Sequence, residues 1–370
     1  MSTRRLLIAL HALLFLLFAL AASAQSSPLA KPSAQKPLQL APIPADSYEL
    51  ATGATLVPES PEQRAFILGL LEKARQNTDL HAPATPPFAL KVSFTASGGS
   101  VETGSGEMEE DWQSPNVWRW SARMGAYAQV RIGRNGAAYD QNAGVPLPLR
   151  LHLLRSAIFW PVKAFSPAAL LRFAAAKWQG ADTACTLISG ARGDPTPTPG
   201  RRWVESEYCV DAASGLLRTY SEAPGIYVVY DYQDALRFHG RVMPRTITIV
   251  EAGRTVLTAR LENLQDLAAD DSLFTVTPQM AAQGPGITVA PPIRFPMDAP
   301  ESGVARGAVQ PVIVLAEIGS DGKVLEAELL EDSPLGAAAL GLVRGSSYPI
   351  ARGGRQQRAA YINVRFVSAQ

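Results

Sequence analysis

The feature that most constrains this chain is a two-residue hydrophobic period that recurs in short runs. Phe88, Leu90, Val92, Phe94 and Ala96 alternate with Ala89, Lys91, Ser93 and Thr95, so a pleated strand puts the first set on one side. Further β-like runs cover Glu107–Trp112, Val117–Arg123, Tyr127–Ile132 and Ala137–Tyr139, and Asn135-Gly136 is a type I′ hairpin signal. Others follow at Thr183–Ile188, Trp203–Val210, Leu216–Tyr220, Ile226–Tyr232, Thr246–Val250 and Val256–Leu264. Gly, Asp or Pro bounds each of these. Helical spacing is confined to a few places. Ser60, Pro61 and Gln63 predict a capped helix start, with Phe66, Ile67, Leu70, Leu71 and Ala74 on one face. The apolar stretch from Pro146 to Trp178 reads as helical pieces broken by Pro161 and Pro167.

The N-terminus sets the compartment. Arg4 and Arg5 precede an apolar run from Leu6 to Leu20, and Ala22-Ser23-Ala24 offers small residues at the −3 and −1 positions. This predicts a signal peptide, residues 1–24, cut before Gln25. The rival reading is an uncleaved anchor, because the run is close to the roughly 20 residues a spanning helix needs. Both readings place the chain in the periplasm, with outer-membrane or inner-membrane association left open. Residues 25–58 are rich in Pro, Ala, Ser and Gln and read as a tether.

The rest of the 370 residues has room for about two domains, with a hydrophobic fraction of 47%. A formal charge of +1 argues against nucleic acid as a partner. Both cysteines, Cys185 and Cys209, lie in β-like runs whose antiparallel pairing would set the sulfurs side by side. In an oxidising compartment the expectation is a disulfide, stabilising by roughly 3 kcal/mol.

By Val117-Trp118-Arg119-Trp120, the turn at Asn135-Gly136, and Val210 to Leu217 with its Asp211-to-Gly215 turn, residues 59–278 resemble the LolA-like family of periplasmic carriers. Arg241 to Ile247 matches the family's strand opening after a proline, and Leu273 to Val276 with Pro278 matches its close. The resemblance implies an unclosed antiparallel β-barrel capped by helices. After an Ala-, Gly- and Pro-rich linker at 279–292 comes a compact unit, 293–370. Its β-β-α-β order, with Phe295-Pro296, Asp321 to Val324 in the hairpin, Leu335 to Val343 in the helix, Tyr348-Pro349 after it and Val364 to Phe366 in the closing strand, resembles the C-terminal domain of TonB-type proteins. The expected fold class is therefore α+β: an antiparallel open β-barrel capped by helices, plus a small β-β-α-β domain.

Catalytic patterns are missing from the sequence. His81, His152 and His239 are isolated, with no zinc-binding spacing, nucleophile elbow, P-loop or dinucleotide fingerprint. Glu107, Glu109, Glu110 and Asp111 cluster, but alternation gives Glu107, Glu109 and Asp111 one face, expected to be solvated, and Glu110 the other. The expectation is a non-enzymatic protein without cofactor or metal.

The candidate ligand residues are apolar: Phe88, Leu90, Val92 and Phe94 on one strand, Trp118 and Trp120 on another. In a closed sandwich they would be ordinary core. In an open barrel they would line a cavity, where an acyl chain gains about 0.8 kcal/mol per buried CH₂. The expected function is binding of a lipid or lipoprotein acyl chain, with residues 293–370 contacting an outer-membrane or other envelope protein. A TonB-like adaptor role is the alternative.

Overall fold

A computed structural model describes residues 55–57, 61–98, 103–166, 168–189, 201–268, 270–285, 292–301, 304–349 and 357–368. The leader, the tether before residue 55, Pro167 and the turn expected at Gly190 to Pro195 lie outside the described residues.

The strands of the larger sheet begin with β1 (Thr55–Val57), β2 (Phe88–Ala96), β3 (Gly104–Ser114), β4 (Val117–Met124), β5 (Tyr127–Arg134) and β6 (Ala137–Asp140). They continue with β7 (Leu170–Trp178), β8 (Ala181–Ser189), β9 (Ser206–Asp211), β10 (Leu217–Ser221) and β11 (Ile226–Asp231). A separate hairpin, β12 (Leu236–Phe238) and β13 (Arg241–Met243), precedes β14 (Thr246–Glu251), β15 (Arg254–Asp266) and β16 (Ala281–Pro285). Among the described residues two α-helices, α1 (Pro61–Thr78) and α2 (Leu149–Phe159), and a short 3-10 turn at Asp271–Phe274 accompany them.

The sheet runs β1-β7-β8-β9-β10-β11-β14-β15-β2-β3-β4-β5-β6-β16 and ends in β1 on one side and β16 on the other. It is antiparallel and not a closed barrel. Chain reversals follow the turn chemistry. Asn135 and Gly136 both take positive φ, at 54° and 78°, as a type I′ turn requires. In the turn between β9 and β10, Asp211 Oδ1 accepts from the Ser214 amide at 2.8 Å and its hydroxyl at 2.7 Å.

The alternation of β2 is reproduced, with Phe88, Leu90, Val92, Phe94 and Ala96 all buried. On β3 the outward carboxylates meet cations on neighbouring strands: Glu107 with Arg123, Glu109 with Lys91, Asp111 with Arg119. Glu110 faces inward and is fully buried.

Four expectations need correction. In α1, Ile67, Leu70, Leu71 and Ala74 are buried, but Phe66 is 54% exposed, because it lies at the margin of the apolar stripe. The central stretch is one helix, α2, followed by strand β7, not helical pieces throughout. Leu170–Trp178 finds backbone partners on both sides, β1 and β8, and those long-range ladders override local pattern. Residues 55–57 of the expected tether form β1, and 281–285 of the expected linker pair with β6.

The C-terminal unit is the fourth. It consists of β17 (Ile293–Glu301), β18 (Val309–Ile318), β19 (Val324–Leu329), α3 (Gly336–Gly345) and β20 (Arg358–Ser368). The sheet order is β17-β20-β18-β19, so a strand precedes the expected β-β-α-β and pairs with β20 in parallel. β17 carries Pro296 and Pro300, which its outermost position in the sheet tolerates.

Both faces of this small sheet are covered. Val312, Val314, Ala316, Ala360, Ile362, Val364 and Phe366 pack with Ala339 and Val343 of α3. On the opposite face Leu315, Ala359 and Tyr361 join the apolar core of the larger sheet and α2.

Candidate functional site

α2 is the centre of the site. Its sequence, LRLHLLRSAIF, has no continuous polar face, and all eleven residues are buried. It lies between the inner face of the larger sheet and one face of the C-terminal sheet. Contacts to both define that position: Arg155 reaches Glu110 of β3, Ala157 O accepts from Tyr230 of β11, and His152 reaches Glu317 of β18. A helix enclosed in this way must neutralise its charges locally.

Arg150 is 1% exposed. One arm of its guanidinium meets Glu251 at 2.5 Å, another meets Glu328 of β19, and Nε donates to Ser97 O at 3.3 Å. His152 Nδ1 lies 2.9 and 3.1 Å from the two oxygens of Glu317. Arg155 donates to Glu110 at 3.0 Å and lies over the Trp120 ring, 4.5 Å from its centroid. The other Glu110 oxygen is 3.0 Å from His81 Nε2, and the His81 ring stacks on Phe159 at 4.3 Å.

The carboxylates respond differently. Burial opposes ionisation of Glu110, but Arg155 and His81 outweigh it and hold the carboxyl below its ordinary value. For Glu328 burial prevails over Arg150, helped by Glu251 and Glu326, and the carboxyl is pushed up to about 7. Glu251 and Glu317 are also raised by burial, with Arg150 and His152 respectively as the leading opposition.

A second buried cluster ties down the segment after α2. Glu222 meets Lys163 at 2.6 Å and Arg294 of β17 at 3.5 Å, and accepts from Tyr220 at 2.7 Å and Ser206 at 3.1 Å. Arg294 also donates to the Trp203 and Glu222 carbonyls.

The six apolar candidates share the inner face. Phe88, Leu90, Val92, Phe94, Trp118 and Trp120 are all buried and belong to one cluster with Leu151, Leu154 and Phe159 of α2. Two rings lie across glycines on the neighbouring strands. A Cβ at Gly133 would come within 2.1 Å of the Trp118 ring, and one at Gly106 within 2.4 Å of Phe94. The helix therefore occupies the space over these residues. Phe94 also borders a cleft of about 550 Å³ with Ser93, Thr95, Arg123 and Met124. The other five border neither it nor a second cleft of about 310 Å³. That second cleft lies where Tyr127, Val145 and Pro146 meet Glu317, Leu325 and Glu326.

Cys185 and Cys209 are register partners on β8 and β9 and are joined as a disulfide. Glu207 lies beside them, but the bonded sulfurs present no thiolates to a metal. No other grouping of three ligating side chains occurs among the described residues.

Sequence reading missed the charged residues of the site. His81, His152 and His239 look isolated, yet each meets a carboxylate: Glu110, Glu317 and Asp266. The available signal was Arg150, His152 and Arg155 embedded in an otherwise apolar run, which has no solvent side on which to place them.

No family model matches the sequence, and no curated protein matches it. Among solved structures the chain is similar to a LolA superfamily protein from Nitrosomonas europaea, at 12% identity and a TM-score of 0.36, over 56% of this chain and 97% of that one. It is also similar to a putative outer membrane lipoprotein-sorting protein domain from Vibrio parahaemolyticus, at 9% identity and a TM-score of 0.34, over 55% of this chain and 95% of that one. A third, LprF from Mycobacterium bovis, shares 12% identity at a TM-score of 0.21, over 55% of this chain and 93% of that one.

Proposed function

We propose that this protein is an exported, non-enzymatic carrier of the periplasm. In this reading its inner sheet face binds an apolar chain of a lipid or lipoprotein once α2 withdraws, and its C-terminal unit meets an envelope partner. The observation that carries the reading is the nature of the cover. Phe88, Leu90, Val92, Phe94, Trp118 and Trp120 are roofed by a helix bearing three buried charged or titratable side chains. Buried ion pairs contribute little net stability, because desolvation offsets their attraction, and their attested use is in register and switching. A helix held in this manner is a removable plug, whereas a roof of purely apolar side chains would be permanent core. The apolar face beneath suits a flexible hydrocarbon, which gains about 0.8 kcal/mol for each CH₂ it buries. The resemblance of Val117 to Trp120 and of Val210 to Leu217 to LolA-like carriers points the same way.

The test is uptake of 11-(dansylamino)undecanoic acid, followed by fluorescence. The wild-type chain is expected to bind it, and Trp118→Ala to bind it more weakly while remaining folded. A wild type that takes up no probe, together with a Trp118→Ala variant that unfolds, would make these residues ordinary core and remove the carrier reading.

A further inference from the structure

Three carboxylates of the C-terminal sheet project from the one face that meets α2. Glu317 on β18 and Glu326 on β19 are direct cross-strand partners, and Glu328 lies two residues further along β19. Each holds a different part of the first turns of the helix. Glu326 accepts from the Leu149 amide at 3.1 Å, one of the donors that a helix start cannot satisfy itself. Glu328 contacts the Arg150 guanidinium, and Glu317 faces His152. Just ahead of the helix, the Leu147 amide donates to Gln357 at 2.9 Å. Pro148, at the N-cap position, has no side-chain cap to offer, so the cap comes from another unit of the fold. β19 is the outermost strand of its sheet.

We propose that the C-terminal sheet is the latch of the α2 plug. Shifting β19 withdraws the helix cap and one contact of Arg150 together, and moves Glu326 away from its partner Glu317. The entry of the helix is then freed as a unit, while the larger sheet keeps its own ladders. The C-terminal unit thereby regulates access to the inner face. Only the consequence of release, exposure of a binding face, rests on the carrier reading; the latch itself is a property of α2.

The test is hydrogen–deuterium exchange of the full chain, comparing residues 149–159 with strand 88–96. His152→Leu leaves Glu317 buried without its imidazole partner and should speed exchange in 149–159 by at least about tenfold, with 88–96 unchanged. Adding Glu317→Leu replaces the pair with apolar side chains and should return exchange to within about threefold of wild type. Glu326→Ala, which removes the acceptor of the Leu149 amide at a partly exposed position, should also speed exchange in 149–159 and serves if His152→Leu does not fold. Unchanged exchange in 149–159, or an equal rise in both segments, would overturn the latch. Dansyl-undecanoate uptake by the same variants separates the two ideas. Faster exchange without uptake keeps the latch and removes the carrier; uptake by wild type with exchange unmoved by any variant does the reverse.

Discussion

Arg150 on α2 and Glu328 on β19 form an ion pair with both side chains buried, and the same guanidinium reaches Glu251 at the end of β14. One side chain of the helix thus joins the two sheets between which it lies. The geometry makes the seam between the sheets electrostatic at its centre and apolar around it, with Leu315, Ala359 and Tyr361 in the same core as Leu149 and Leu151.

Arg150→Met tests that joint. Removing the cation leaves Glu251 and Glu328 facing each other, each already raised by burial. The expected cost is about 3–5 kcal/mol, the usual penalty for one missing partner of a buried pair. A urea titration that places the midpoint of Arg150→Met within error of wild type would refute this.

Acid and base should act on the seam in a defined direction. The Glu328 carboxyl, ordinarily near 4.5, is pushed up to about 7 by burial, against Arg150 and with Glu251 and Glu326; Glu317 shifts the same way although it faces His152. The closed seam therefore binds more protons than separated groups between those values, and lowering the pH through that window favours closure. That stabilisation is lost as the pH rises through about 7. Exchange of residues 149–159, corrected for intrinsic chemistry, should be slower near about pH 5.5 than near about pH 8. Glu110 has the opposite sign, since its carboxyl is lowered, and its pairing with Arg155 and His81 is lost only in stronger acid.

The shared core predicts that cutting the chain will not separate its parts. With a protease site inserted after Pro285, cleavage should leave the two fragments co-eluting in size-exclusion chromatography. Buried contacts hold them: Arg150 with Glu328, His152 with Glu317, Arg294 with Glu222. A C-terminal fragment that elutes alone in native buffer would count against the seam as described.

The disulfide closes a loop with a sequence separation of 24. Replacing Cys185 and Cys209 together with Ala should lower stability by about 3 kcal/mol, read as a lower midpoint in urea. Mass spectrometry of the wild type under non-reducing conditions should find both thiols consumed, and two free thiols would remove the bridge from the native protein.

Much of the fold was legible because strand and turn signals are local. The alternation from Phe88 to Ala96, the Asn135-Gly136 turn and the division of β3 into an outer Glu107, Glu109, Asp111 face and an inner Glu110 face all follow from a period of two. The pairing of Cys185 with Cys209 was legible from two neighbouring β-like runs. What the six aromatic and aliphatic candidates do was half legible: periodicity says that they share a face, and nothing local says what lies over it.

Tertiary structure decided the rest. Leu170–Trp178 became a strand because β1 and β8 supply ladders from distant parts of the chain. Arg150, His152 and Arg155 found Glu251, Glu328, Glu317 and Glu110 far away in sequence. For runs such as Phe88–Ala96 and reversals such as Asn135-Gly136, the sequence by itself determined the strand, the face each side chain takes and the turn, since these depend on neighbours a few residues away. Which sheet covers α2, and which carboxylates neutralise it, depended on the chain closing long loops to bring charge to charge, and burial made those pairings obligatory only once both sheets were in place.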